Sequence, residues 1–163
     1  LLCQVVPLLC KPIDDLAKQG DDRRYELPRP YVGSNPYDMS FSGLKTAVIN
    51  IAHRCGQTGE PLDKPGLAAS LCRAVSEVLV GRTMAAAEEL GYRRIAVAGG
   101  VAANSRIRAD FTAACDKAGC ELYIPPMRLC GDNGAMIGAQ AYYEYLAGHT
   151  ADSSLNAYAT MPL

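Results

Sequence analysis

The chain has 163 residues, of which 49% are apolar and 20% charged, and its formal net charge is −1. This is enough length for one hydrophobic core, with the make-up of an ordinary folded domain. The charge balance excludes a basic face spread over the whole chain, so any contact with RNA has to come from a local patch or a partner. Seven cysteines, an odd number without a CxxC pair, argue for reduced, buried thiols in a cytoplasmic protein.

Residues 1–9 are apolar but far short of the roughly 20 needed to cross a bilayer. They lack the basic start and cleavage site of a signal peptide, and no membrane partner is expected. The chain opens without methionine, and residues 1–11 read as an atypical or misread leader on a fragment. Pro12 to Lys18 predicts a short helix, and Gly20 to Asn35 a loop. Ser40 or Ser42 is positioned to cap a helix running to about Cys55, with Leu44, Val48 and Ile51 on one face. Gln57 to Pro61 predicts a turn. Asp63 is placed to cap the longest helix, with Pro65 tolerated in its first turn. Leu67, Leu71, Val75 and Val78 recur there at helical spacing, and Gly91 follows Leu90 as a stop.

Ile95 to Ala98 predicts a strand that ends in Gly99-Gly100. Asn104 opens a helix to Ala118 patterned by Ile107, Phe111 and Cys115 and closed by Gly119. Leu122 to Ile124 predicts a second strand, stopped by Pro125-Pro126. Asp132 or Asn133 then caps a last helix to about Ala147, followed by Gly148. Alternating helices and strands from Asp63 onward predict an α/β fold with at least two parallel strands. The expected division is a leader at 1–11, one lobe at 12–148 and a tail at 149–163.

Three short stretches carry candidate chemistry. Gly99 and Gly100 can turn the backbone sharply and admit a ligand close to it. The helix start that follows is expected to offer unpaired N–H groups to a phosphate or ribose. Asn104 beside them is either a plain cap or a group that bonds such a ligand. Asp132, flanked by glycines and following the second strand, is either a cap or a metal ligand at the carboxyl end of the sheet. Ser40-Phe41-Ser42-Gly43-Leu44-Lys45-Thr46 is either a serine-capped helix start with a solvated Lys45 or a holder for an anion. Arg23, Arg24 and Arg29 beside Tyr25 and Tyr31 form a local basic cluster, read as a solvated loop or an RNA contact. No HExxH or GxSxG pattern is present, and His53 and His149 lie far apart.

Taken in order, Tyr25-Glu26-Leu27-Pro28-Arg29-Pro30, the Ser40–Thr46 stretch, Ala98 to Asn104 and Asp132-Asn133-Gly134-Ala135-Met136-Ile137 resemble the TsaD family. These are the tRNA threonylcarbamoyladenosine transferases, once called O-sialoglycoprotein endopeptidases. The resemblance runs from about Pro12 to Gly148 and covers the C-terminal half of a complete member. It implies a lobe of the actin-like ATPase fold, the sugar kinase and Hsp70 superfamily. It implies transfer of a threonylcarbamoyl group from an ATP-derived threonylcarbamoyl-adenylate to N6 of the adenosine next to the anticodon, in tRNAs reading codons that begin with A. By the same resemblance Asp132 is a ligand of one divalent metal ion, iron(II), while Asn104, Gly99 and Gly100 contact the nucleotide and Asp14 the substrate nucleoside. No residue of this half emerges as a general base. The partners it implies are tRNA and TsaB-like and TsaE-like proteins.

Two departures stand beside it. The family's two metal-binding histidines match neither His53 nor His149, and Cys10 stands where a substrate-contacting glycine is expected. The chain by itself is therefore expected to be inactive. The competing readings are a related carbamoyltransferase of the hydrogenase-maturation type, which the Ser40–Thr46 stretch argues against, and an isolated lobe with only a binding role.

Overall fold

The computed structural model describes residues 11–29, 37–131 and 133–156. Its elements are α1 (Lys11–Ala17), α2 (Ser42–Thr58), α3 (Lys64–Glu89), β1 (Arg94–Ala96), a 3-10 turn (Gly100–Ala103), α4 (Ser105–Ala118), β2 (Glu121–Tyr123), a second 3-10 turn (Met127–Leu129) and α5 (Gly134–Leu146). This is an α/β arrangement, and its described sheet has two parallel strands. The chain divides into two compact units at the Gly131–Asp132 bond.

In the first unit α3 is the axis. Its Asp63 cap accepts from the Gly66 N–H at 2.9 Å, with Pro65 in the first turn, where its missing N–H costs nothing. The predicted stripe of Leu67, Leu71, Val75 and Val78 is buried, together with Cys72, Ala74 and Leu79. Leu27, Phe41, Leu44, Val101, Ile107 and Phe111 close over that stripe and form the main core. Two serines lie inside α3 with their polar groups satisfied. Ser70 Oγ accepts from the Tyr25 N–H at 3.1 Å, and Ser76 Oγ donates to Asp110 at 2.7 Å. These bonds remove the cost of burying a hydroxyl.

The start of α2 differs from expectation. Its N-cap position falls on Phe41, between the two serines, with no side-chain cap bond. Phe41 and Leu44 are both buried. Packing of two apolar side chains against α3 sets the helix entry, and its energy exceeds the roughly 1 kcal/mol of a serine cap. The helix also runs past Cys55 to Thr58, where Gly59 takes a left-handed conformation at φ +73°.

Strand β2 sits one residue earlier than the pattern suggests, and β1 begins one residue earlier and ends at Ala96 instead of Ala98. Arg94 pairs with Glu121, Ile95 with Leu122 and Ala96 with Tyr123. A last rung runs from the Val97 N–H to the Tyr123 carbonyl at 2.9 Å. Beyond it Pro125 and Pro126 have no N–H to offer, so β2 stops and leaves β1 without a partner. A small second cluster of Ala87, Ile95 and Cys115 joins the end of α3 to β1 and α4.

The second unit contains α5, capped by Asn133 through its side chain to the Met136 N–H at 3.0 Å. The capping expectation for Asn133 therefore holds. Asp132 lies outside the described residues, as do Cys3, Cys10 and Tyr31.

Candidate functional site

The site is built where β1 ends. Gly99 stands at φ +83° and ψ −179°, a conformation open to glycine and strained for other residues, and space beside its Cα is open. The Ala102 N–H returns to the Gly99 carbonyl at 3.0 Å and closes the 3-10 turn that Gly100 begins. Val101 and Ala102 point into the core and anchor the turn.

Asn104 ends the turn and caps α4. It is 1% exposed. Its Oδ1 accepts from the Ile107 N–H at 3.2 Å, and its Nδ2 lies 3.4 Å from Cys72 Sγ. Asp14, on α1, reaches the same helix start. It is 4% exposed, and its Oδ1 accepts from the Ser105 N–H at 2.9 Å and from the Ser105 hydroxyl at 2.8 Å. Its Oδ2 pairs with Lys18 at 3.0 Å.

These contacts correct one expectation. The first turn of α4 does not offer a row of unpaired N–H groups, because Asp14 takes that of Ser105 and Asn104 takes that of Ile107. Two internal oxygens occupy the positive end of the helix, where they are electrostatically favoured. The backbone left open to a ligand is that of the glycine bend.

An open cavity of about 510 Å³ adjoins this junction, lined among others by Asp14, Lys18, Cys72, Ser105 and Arg106. Arg106 bridges Asp22 and Asp110, each at 2.7 Å. The Arg106 hydrogen bond holds the Asp22 carboxyl below the usual carboxylate range. Burial pushes the Cys115 thiol up, which keeps it protonated and inert. All five cysteines among the described residues are free, and four are buried, as expected for reduced thiols.

Arg108, in the first turns of α4, also meets the bend. Its Nη1 donates to the Ala102 carbonyl at 2.8 Å and to the Pro125 carbonyl at 2.9 Å, and it approaches Cys130 Sγ at 3.8 Å. The turn after β1 and the stretch after β2 are thereby tied to one side chain. In the basic cluster, Arg29 pairs with Glu77 at 2.6 Å and Arg24 lies 5.7 Å over the Tyr25 ring.

The sequence of this chain matches the profile of the family described as TsaD, tRNA N6-adenosine threonylcarbamoyltransferase, over residues 5–139. The chain belongs to the TsaD family. Proteins named tRNA N6-adenosine threonylcarbamoyltransferase from Staphylococcus saprophyticus and Moorella thermoacetica are each 46% identical to it over 151 residues, covering 93% of this chain and 44% of theirs. One from Latilactobacillus sakei is 48% identical over 149 residues, covering 90% of this chain and 43% of its own length. The chain thus spans less than half the length of the curated relatives it matches.

Set against the TsaD resemblance, the structure brings Asp14, Asn104 and the Gly99–Gly100 bend together around the start of α4. Ser105, Cys72 and Arg108 complete the junction and were not singled out from the sequence. Only Ser105, as the neighbour of a capping asparagine, carried even a faint signal. The Ser40–Thr46 stretch lies at the start of α2, where Thr46 Oγ1 bonds the Ser42 carbonyl at 3.1 Å. Among the described residues no group of three or more His, Cys, Asp or Glu is placed to hold a metal ion, and no helix is long and apolar enough to cross a membrane.

Proposed function

We propose that this chain supplies a C-terminal lobe of the actin-like ATPase fold, and that the lobe presents threonylcarbamoyl-adenylate to a tRNA. The group transferred is threonylcarbamoyl, and the acceptor is N6 of the adenosine next to the anticodon. The observation that carries this reading is the convergence of Asp14, Asn104 and the Gly99 bend at one helix start, in a chain whose match to the TsaD family spans residues 5–139.

The roles follow from chemistry. At Gly99 and Gly100 the missing side chains let the adenosine part lie against the backbone. Asn104 fixes the bend on which the nucleotide rests. Asp14 stands at the cavity edge, 2.8 Å from the Ser105 hydroxyl, where a ribose hydroxyl can take over that bond. Asp132 is the proposed metal ligand. A hard carboxylate suits iron(II), and such an ion, when bound, polarises the carbonyl being transferred. In this reading the two metal-binding histidines of the family, which His53 and His149 do not match, complete its coordination. Rate enhancement in this lobe comes from positioning. The partners in this reading are tRNA and TsaB-like and TsaE-like proteins, in a cytoplasmic setting.

The test joins this chain in frame to the preceding half of the Staphylococcus saprophyticus relative and supplies the partner proteins in a strain lacking the activity. Threonylcarbamoyladenosine in digested tRNA is then measured by mass spectrometry. The modified nucleoside is expected with the sequence as it stands and not with Asp132→Ala. No product from the unaltered residues, or full product from Asp132→Ala, overturns the reading.

A further inference from the structure

We infer that Arg108 is a positioning residue that holds the adenylate-binding bend and the segment after β2, residues 125–130, in one fixed relation. The inference rests on the function proposed above for the bend, but the geometry that motivates it is independent of that function.

The two stretches share a chemical shortage. The segment after β2 runs Ile124-Pro125-Pro126, and two consecutive prolines contribute carbonyls without N–H donors. In the turn after β1, the Ala102 carbonyl lies among buried apolar neighbours and likewise calls for an outside donor. Arg108 Nη1 carries two hydrogens, and the Ala102 and Pro125 carbonyls, at 2.8 and 2.9 Å, take one each. Cys130 Sγ, 3.8 Å from the same nitrogen, is directed as a weak donor at the carbonyls of Pro125 and Pro126 at 3.8 and 3.6 Å. The cluster thus gathers carbonyls from both loops around one cationic donor, Arg108, with the Cys130 thiol as a weak second donor confined to the Pro125 and Pro126 side. Removing Arg108 takes away the one donor here that reaches carbonyls of both loops, leaves the Ala102 carbonyl without it, and unties the loops.

Arginine suits the task by shape. Its guanidinium is planar, stays charged, and directs its hydrogens along fixed lines. A lysine ammonium in the same place carries three hydrogens on a freely rotating head and does not impose the plane. The backbone of Arg108 is itself held by α4, whose cap is Asn104, so the side chain reads the position of the bend and transmits it across to residues 125–130.

The experiment compares the 163-residue chain with Arg108→Met, which keeps the apolar stem, and with Arg108→Lys, which keeps the charge. Amide hydrogen exchange is followed residue by residue. In Arg108→Met the amides of Ala102 and Asn104 in one loop and of Leu129 and Cys130 in the other are expected to exchange about tenfold faster, the effect of losing one well-made hydrogen bond. Amides in the middle of α3 and on the β1–β2 ladder stay within about twofold, which separates positioning from general loss of stability. Arg108→Lys gives an intermediate pattern. Acceleration of one loop alone, or equal acceleration throughout the fold, overturns the inference. If Arg108→Met does not fold, Arg108→Lys decides by the same criterion.

A calorimetric titration with AMP gives the link to function. Arg108→Met is expected to bind AMP about tenfold more weakly than the unaltered chain, the loss matching one well-made bond. A chain that binds no AMP at all counts against the proposed function, while the exchange pattern still decides the role of Arg108.

Discussion

Replacement of Asp14 tests the junction most directly, because this carboxylate connects α1 to a helix start 91 residues away. Asp14→Ala removes acceptors for the Ser105 N–H and hydroxyl at 2.9 and 2.8 Å, in a place where Asp14 itself is only 4% exposed. Hydrogen bonds to a charged group contribute about 1.5–3 kcal/mol, and a capping oxygen alone about 1 kcal/mol. The ion pair to Lys18, whose side chain is 52% exposed, adds no more than about 0.5 kcal/mol after solvent screening. The expected loss is therefore about 2–3 kcal/mol. Asp14→Asn keeps an oxygen for the Ser105 N–H and gives up the charge, so about half that loss is expected. Urea denaturation followed by circular dichroism reads both, with the midpoint falling and the slope unchanged. Hydrogen exchange at the Ser105 amide is expected to speed up in the same order. If Asp14→Ala unfolds within about 0.5 kcal/mol of the unaltered chain, or leaves the Ser105 amide as protected as before, the bridging role is wrong.

Gly20→Ala is expected to cost about 1–3 kcal/mol, since a Cβ there stands 2.1 Å from the Pro65 carbonyl carbon and oxygen and 2.5 Å from the Gly66 nitrogen. A thermal melt unchanged by this substitution refutes the close approach of the loop to α3. Acid sensitivity has a defined sign. Asp22 titrates below its ordinary value because of the hydrogen bond from Arg106, so its contribution is present above about pH 3.9 and is lost as pH falls through the lower folded-state value. Melting temperature is thus expected to drop below about pH 4, and Asp22→Asn to flatten that drop. An unchanged acid profile in Asp22→Asn counts against the pair.

The local parts of this fold were legible in the sequence. Asp63, Asn104 and Asn133 each cap a helix by bonding an N–H three residues on, so the signal and its consequence lie within one turn of chain. Gly91, Gly119 and Gly148 take positive φ where helices stop, which follows from the lack of a Cβ. The apolar stripe on α3 and the order of strand, glycine bend, helix and strand were equally plain. Phe41 shows where that reasoning fails. Two serines looked like caps, and burial of the aromatic side chain between them decided the entry instead.

The site depended on contacts that no local pattern encodes. Asp14 meets Ser105 across 91 residues, Cys72 meets Asn104 across 32, and Arg108 meets Pro125 across 17. Sequence alone gave Asn104 two possible uses, marked Asp14 only through the family resemblance, and gave Cys72 and Arg108 no distinction. Tertiary packing chose among the uses, because burial removes water as a partner and each polar atom must then find one in the chain. The helices and turns are therefore properties of neighbouring residues, whereas the junction that gives the glycine bend its setting exists only once α1, α3 and α4 have closed around it.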